Sequence, residues 1–258
     1  MNRDSLAADW NWDNPAECTR WFDAVRAESA LCDKLQQVPV EPPFSRRQLL
    51  ELGVTGIEFA AFQTGHPTGL AADCIPIRSK DAAASLHRIF RVDGESHFIQ
   101  LDISEPLPFQ DGCVDWVYAE HLIEHVSPDT AIAWLRETRR ILAPGGLLRL
   151  TTPDLRKYAK NYLDDSGFFA EHRERMLDVV APAPGMPDRP AFMFNQISYF
   201  YGHQWIYDID EIRHALRSAG FEDDAVKRCA FRQGASPQVA GLDRSIRNDE
   251  TIYVEANA

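Results

Sequence analysis

Three groups of residues in this 258-residue chain have the types and spacing to do chemistry. Asp102 follows the apolar run FIQL; Glu120 and His121 close the run VDWVYA, with Glu124 and His125 just beyond; Tyr199, Tyr201 and His203 stand in the most aromatic stretch. Carboxylates so placed accept hydrogen bonds from ligand hydroxyls or amines, and a tyrosine or histidine can accept a proton or orient a nucleophile. The residues His121-Leu-Ile-Glu124-His125 also fit the H-x-x-E-H pattern of inverted zinc peptidases, and on a helix the two histidines would share a face. That pattern belongs inside a helix with a third ligand on another; here it leaves a strand and an L-x-P-G-G run follows, so no metal is expected.

The elements that must position these groups read strand, acidic turn, strand, helix, strand over residues 98–153. Short β-rich runs joined by an amphipathic helix are the βαβ unit of an open parallel sheet, whose ligand crevice lies outside the carboxyl ends of its strands. Asp102, then Glu120 and His121, then Thr151 and Thr152 occupy those ends.

The same stretch carries Asp102, Leu107, Pro108, Phe109, Glu120, His121, Glu124, His125, Leu142, Pro144, Gly145 and Gly146. With this set it resembles the class I S-adenosylmethionine (SAM) dependent methyltransferases, in the branch that reads D-x-x-x-x-L-P-F, then E-H-x-x-E-H, then L-x-P-G-G. The resemblance extends from residue 56 to the C-terminus. It implies a doubly wound, mostly parallel, seven-stranded Rossmann-like α/β sheet that binds SAM. It also implies that Asp73 accepts the ribose hydroxyls, that Asp102 reads the adenine amino group with Ile103 packed on the ring, and that the Glu120–His121 pair floors the pocket. The cofactor-binding candidates are Glu58, Phe59, Ala60, Phe62, Asp73, Cys74, Asp102, Ile103, Glu120 and His121.

Residues 56–73 depart from the family. A strand, a turn and a second strand are expected there, but Ala60, Ala61 and Phe62 stand where the family has G-x-G, which keeps the backbone bare for the cofactor. Two outcomes compete: the side chains block SAM and leave a non-catalytic binding protein, or the cofactor's aminobutyrate arm is bent, with the Phe62 ring beside the sulfonium. A bent arm suits a second chemistry on this fold, cyclisation of SAM to azetidine-2-carboxylate with release of methylthioadenosine. Methyl transfer to a small-molecule acceptor is the leading expectation.

The rest of the chain supplies the frame. Residues 15–35 read as an amphipathic helix inside an N-terminal cap or lid of residues 1–50 that includes Trp10, Trp12, Trp21 and Phe22. A further helix is expected from Lys80 through residue 92, then the helix ending at Leu142, helical segments after residue 154 and a proline-rich loop before residue 190. An acceptor-site insertion at about residues 155–207 supplies the catalytic candidates Tyr199, Tyr201 and His203, beside His121. The run YDIDEIRHALRSAGF is the last helix, capped by Asp208 and stopped at Gly220. The run SPQVAGLDRSIRND before the last strand has no chemical role in this reading.

Net charge is −12 and the sequence pI about 5.1, which argues against a phosphate-backbone binder. The five cysteines are scattered singly, the N-terminus has no apolar export segment, and no apolar run is long enough to span a bilayer. A cytoplasmic protein acting on a small molecule, without membrane or nucleic-acid partners, is expected.

Overall fold

The computed structural model describes residues 11–164, 166–179 and 185–258. Trp10 and part of the proline-rich loop lie outside the described residues. The described strands form one nine-stranded sheet in the order β1-β4-β5-β3-β2-β6-β7-β9-β8. These are β1 (Leu35–Gln37), β2 (Gly56–Phe59), β3 (Gly69–Asp73), β4 (Ile89–Val92), β5 (Ser96–Gln100), β6 (Val114–Glu120), β7 (Leu142–Pro153), β8 (Lys227–Cys229) and β9 (Thr251–Asn257). The helices are α1 (Pro15–Ser29), α2 (Arg46–Glu51), α3 (Pro128–Ile141), α4 (Leu155–Asp164), α5 (Phe168–Val179), α6 (Pro190–Tyr199), α7 (Ile209–Ser218) and the short α8 (Pro237–Ala240).

Strands β5, β3, β2, β6 and β7 run parallel, and β9 enters antiparallel between β7 and β8. Chain order reverses between β2 and β6, which neighbour each other although β3, β4 and β5 separate them in sequence. That reversal opens a crevice at the carboxyl ends of the strands.

Two strands exceed the seven expected. The helix expected from residue 80 is absent: β4 pairs antiparallel with β5, and Asp93 and Gly94 turn between them at φ 53° and 83°. Ile89, Phe90 and Val92 are all buried in the sheet, where a helix would have exposed part of them. The expected helix over residues 15–35 also ends early, at Ser29, because Leu35 pairs with Val92 and makes β1 the sheet's outer edge.

One sheet face is helical. Trp134, Leu135, Ile212 and Leu216 of α3 and α7 join Ile57, Phe59, Val117 and Leu148 in the main core. The other face is closed differently, because residues 60–68 join parallel neighbours β2 and β3 without a helix. Such connections usually need a dozen or more residues. Val239 and Leu242, between β8 and β9, pack instead on Trp116 and Tyr118 of β6. Gly56 makes room there, since a Cβ would sit 2.1 Å from the Trp116 indole. Arg149 anchors the same connection: fully buried, it donates to both oxygens of Asp243 at 2.8 and 2.6 Å and to Glu255 at 2.8 Å. No helix among the described residues is long and apolar enough to cross a membrane.

Candidate active site

The crevice is assembled from strand ends whose backbones bend sharply. Ala60, the residue after β2, has φ 57° and His121, the residue after β6, has φ 52°, both in the left-handed region that side chains disfavour. Ala60 thus adopts a backbone shape that glycine takes without strain. Strain of this kind persists where the surroundings over-determine it, often at ligand sites.

Glu58, two residues before that bend, is buried and hydrogen-bonded by the Thr64 side chain and the Gly65 backbone. Its Oε2 is buried without a partner. Burial pushes its carboxyl pKa up, Glu120 adds to the rise, and the Thr64 bond and Arg244 oppose it. Glu58 lines a cleft of about 450 Å³ with Gln63, Gly65 and Pro67 on one side and Gln238, Leu242 and Arg244 on the other. Glu120 is clamped by Arg244, whose backbone N–H donates to Oε1 at 3.0 Å and whose Nε lies 3.0 Å from Oε2.

Asp73 ends β3 with both carboxylate oxygens engaged. Arg26 Nη2 of α1 lies 3.2 and 3.3 Å from them, and the Ile75 N–H donates to Oδ1 at 2.9 Å. Asp102 is exposed and accepts from the Ser104 N–H and hydroxyl at 2.9 and 2.7 Å, bonds that hold its pKa down. Ile103 packs on the main core, and Phe59 is buried edge-on to Trp134 at 5.3 Å. Phe62 packs on the second core cluster, with Ala71, Phe90 and Phe98, so its ring covers sheet. Cys74 is exposed beyond Asp73.

His121 is fully committed. Arg247 Nη1 lies 3.0 Å from Nδ1, and a guanidinium can only donate, so Nδ1 is the acceptor. Nε2 then carries the proton and donates to Thr251 Oγ1 at 2.8 Å, while Thr251 donates to the Arg247 carbonyl at 2.5 Å. Glu124 is wholly buried: Oε2 accepts from Thr152 Oγ1 at 3.0 Å, and Oε1 has no hydrogen-bond partner. Burial pushes its pKa up to about 8.

The aromatic segment meets this corner. The His125 and His203 rings lie 4.8 Å apart, edge to face, and His203 Nδ1 donates to the Ile197 carbonyl at 2.5 Å. Burial lowers the His125 pKa to about 3 and the His203 pKa to about 4, so both rings are neutral near pH 7. The Tyr201 hydroxyl donates to Gln196 Oε1 at 2.5 Å, and the Tyr201 ring packs on Phe22 of α1 at 4.5 Å. Tyr199, at the end of α6, is 64% exposed.

The structure therefore brings His121 and His203 to one corner, with Tyr201 packed beside His203, and lines Glu58, Ala60, Asp73 and Glu120 along adjacent strand ends. Phe62 and Phe59 lie in apolar cores. Arg26, Glu124, His125, Arg244, Arg247 and Thr251 join the site without having been singled out as binding or catalytic. Glu124 and His125 were visible in the E-H-x-x-E-H run, but nothing local marks the arginines, which arrive from residues remote in sequence.

The site fits SAM in part. Ala60 bends sharply beside Glu58, a carboxylate with an unpartnered buried oxygen that lines a cleft able to take a cationic group. At Asp73, Arg26 must share the carboxylate or yield it before a ribose is gripped.

Residues 50–150 match the family model described as "Methyltransferase domain". Among curated proteins, none matches the chain in sequence. Solved structures that resemble it include a SAM-dependent methyltransferase from Mesorhizobium loti, 16% identical, covering 83% of this chain and 98% of that one at a TM-score of 0.43. A possible histamine N-methyltransferase from Thermotoga maritima is 17% identical, with 83% and 87% covered and a TM-score of 0.40. The CurJ carbon methyltransferase is 13% identical at a TM-score of 0.42; 80% of this chain aligns with it and spans 48% of its length. At such scores these are likenesses only, and the assignment rests on the matched segment and the strand order. Residues 50–150 match a methyltransferase domain, and that segment is set in a Rossmann-like sheet.

Proposed function

We propose that the chain transfers a methyl group from SAM to a small-molecule acceptor seated between helix α1 and the aromatic segment that ends at Tyr207. The observation that carries this reading is Glu58, which lines a cleft beside the left-handed turn at Ala60 and whose buried Oε2 has no hydrogen-bond partner. A carboxylate left without a donor costs stability unless a ligand supplies one, and the ammonium of SAM's methionine half is such a donor. Asp73 and Asp102, at the ends of the neighbouring strands, would then hold the sugar and base.

When bound, SAM supplies a methyl group on a sulfonium that departs as a neutral thioether, so no acid is required. The chain's own residues align the acceptor, exclude water and receive a proton. Helix α1 spans both halves of the site, reaching Asp73 through Arg26 and Tyr201 through Phe22, which suits a cover that keeps water out. The neutral imidazoles of His125 and His203 stand at the acceptor end; with pKa values lowered by burial to about 3 and 4, they orient an acceptor by hydrogen bonding and are weak proton acceptors. Tyr201, its pKa raised by burial, keeps its proton and acts as a donor.

Calorimetry with SAM and with S-adenosylhomocysteine tests the reading; absence of heat with both would end it. Incubation with SAM alone, followed by mass spectrometry, separates the chemistries. Intact SAM until a small amine or phenol is added fits transfer, whereas methylthioadenosine and azetidine-2-carboxylate without an acceptor would replace it by cyclisation.

A further inference from the structure

We propose that Glu124, His125 and His203 form a binding site for a divalent transition-metal ion of the zinc class. One ligand atom from each lies within 4.8 Å of the other two. The pair differs from the His121–His125 spacing in the sequence, and the third ligand comes from the segment after α6.

The free oxygen of Glu124 requires an explanation. Its Oε1 is buried without a hydrogen-bond partner, and His121 Nδ1 lies 3.4 Å from it. That nitrogen is already an acceptor for Arg247 and has no proton to give. Oε1 therefore gains no donor from that side, and a proton on the carboxyl or a bound cation would satisfy it.

The outer contacts have the arrangement metal ligands need. A ligating histidine usually donates its second ring N–H to a backbone carbonyl or carboxylate, which fixes the ring and frees the other nitrogen. His203 does so to the Ile197 carbonyl, and His125 has a backbone hydrogen bond with Tyr201. The second oxygen of Glu124 is held by the Thr152 hydroxyl.

Two imidazoles and one carboxylate select zinc-like borderline ions over magnesium or calcium, which favour oxygen ligands. Ligand atoms of a tetrahedral zinc site with bonds of about 2.0–2.1 Å stand roughly 3.4 Å apart. An ion would therefore draw the three side chains inward. Three protein ligands leave a fourth position open to water or to an acceptor's oxygen or nitrogen. The site does not depend on the proposed reaction, because metal binding is measurable without SAM.

The test uses the full chain without a histidine tag, stripped by a chelator and titrated with Co²⁺, with Zn²⁺ competing in calorimetry. The expected result is one Co²⁺ per chain, with the strong visible absorption of a four- or five-coordinate ion, displaced by one equivalent of Zn²⁺. His203→Ala and Glu124→Gln each weaken binding at least about tenfold, while His214→Ala, exposed on α7, leaves it unchanged. His203→Cys, whose fold is checked by circular dichroism, adds a sulfur-to-cobalt charge-transfer band. Pale, weak or superstoichiometric binding overturns the proposal, as does binding that the Glu124 and His203 variants leave intact. Should His203→Ala fail to fold, the missing cysteine band in His203→Cys overturns it equally.

Discussion

Arg26 Nη2 lies 3.2 Å from Asp73 Oδ1, so the carboxylate at the tip of β3 is already paired with a cation from helix α1. The Arg26 side chain is 38% exposed and that of Asp73 only 3%, which makes Asp73 the fixed partner and Arg26 the one free to leave. Arg26→Met should loosen the helix: a pair exposed on one side contributes at most about 1 kcal/mol, so amides of α1 should exchange about threefold to fivefold faster. Asp73→Asn should in addition weaken SAM binding about tenfold or more, the value of a hydrogen bond to a charged group. Unchanged SAM affinity in Asp73→Asn would remove the ribose grip from the mechanism.

Ala60 offers a test of backbone strain. At φ 57° its Cβ opposes the conformation, and glycine adopts it freely, losing some of that gain to unfolded-state entropy. Ala60→Gly should raise stability by about 0.5–1 kcal/mol, read as a higher urea midpoint at unchanged slope. A loss of stability would mean that the alanine methyl makes a packing contact worth more than the bend costs.

Arg149 shows how much of the site's frame depends on residues far apart in sequence. Its guanidinium joins β7 to Asp243 in the β8–β9 connection and to Glu255 on β9. The sequence reading places the parallel strands and the last strand correctly, because apolar runs such as Val114 to Ala119 and the Pro144-Gly145-Gly146 stop are local signals. It leaves residues 236–249 without a role, because covering a sheet face and clamping Glu120 are relations between segments that no local pattern encodes. The misread helix before Val92 is different. Asp93-Gly94, flanked by Ile89, Phe90 and Val92 on one side and Phe98 and Ile99 on the other, is a hairpin signal, and the alanine-rich start of the segment drew the reading towards a helix. Arg149→Met should leave two buried carboxylates unpaired and cost about 3–5 kcal/mol. Chemical denaturation measures it, and a loss below about 1 kcal/mol would contradict the burial of the network.

Two histidines away from the proposed metal site add to the pH dependence of stability. Burial lowers the pKa of His66 and of His97, with Arg91 adding to the effect at His97. In the unfolded chain both titrate near about 6.5. As pH falls through that value the unfolded state takes protons that the folded state refuses. Their stabilising effect is therefore full above about 6.5 and is lost below it, by up to about 1.4 kcal/mol per pH unit for each histidine. The urea midpoint should be lower at about pH 5.5 than at about pH 7.5, and His97→Phe should flatten the fall. A variant profile parallel to the wild type's would mean that His97 keeps an ordinary pKa.

Glu58 separates a binding role from a structural one by the signs of two effects. Its buried Oε2 lacks a partner, its pKa is raised by burial first and by Glu120 second, and it borders the cleft of about 450 Å³. A residue kept only for packing would lose stability on substitution and change ligand affinity only as the fold loosens. A residue kept to meet a cationic ligand should behave in the opposite way. Glu58→Gln retains the shape, removes the cost of a buried charge and gives up the charge-assisted bond. Thermal unfolding without ligand should therefore stay level or rise, while the SAM dissociation constant increases about tenfold. Calorimetry and unfolding on one preparation measure both. If stability and affinity fall together, Glu58 belongs to the scaffold, and the ammonium of SAM must find its partner elsewhere.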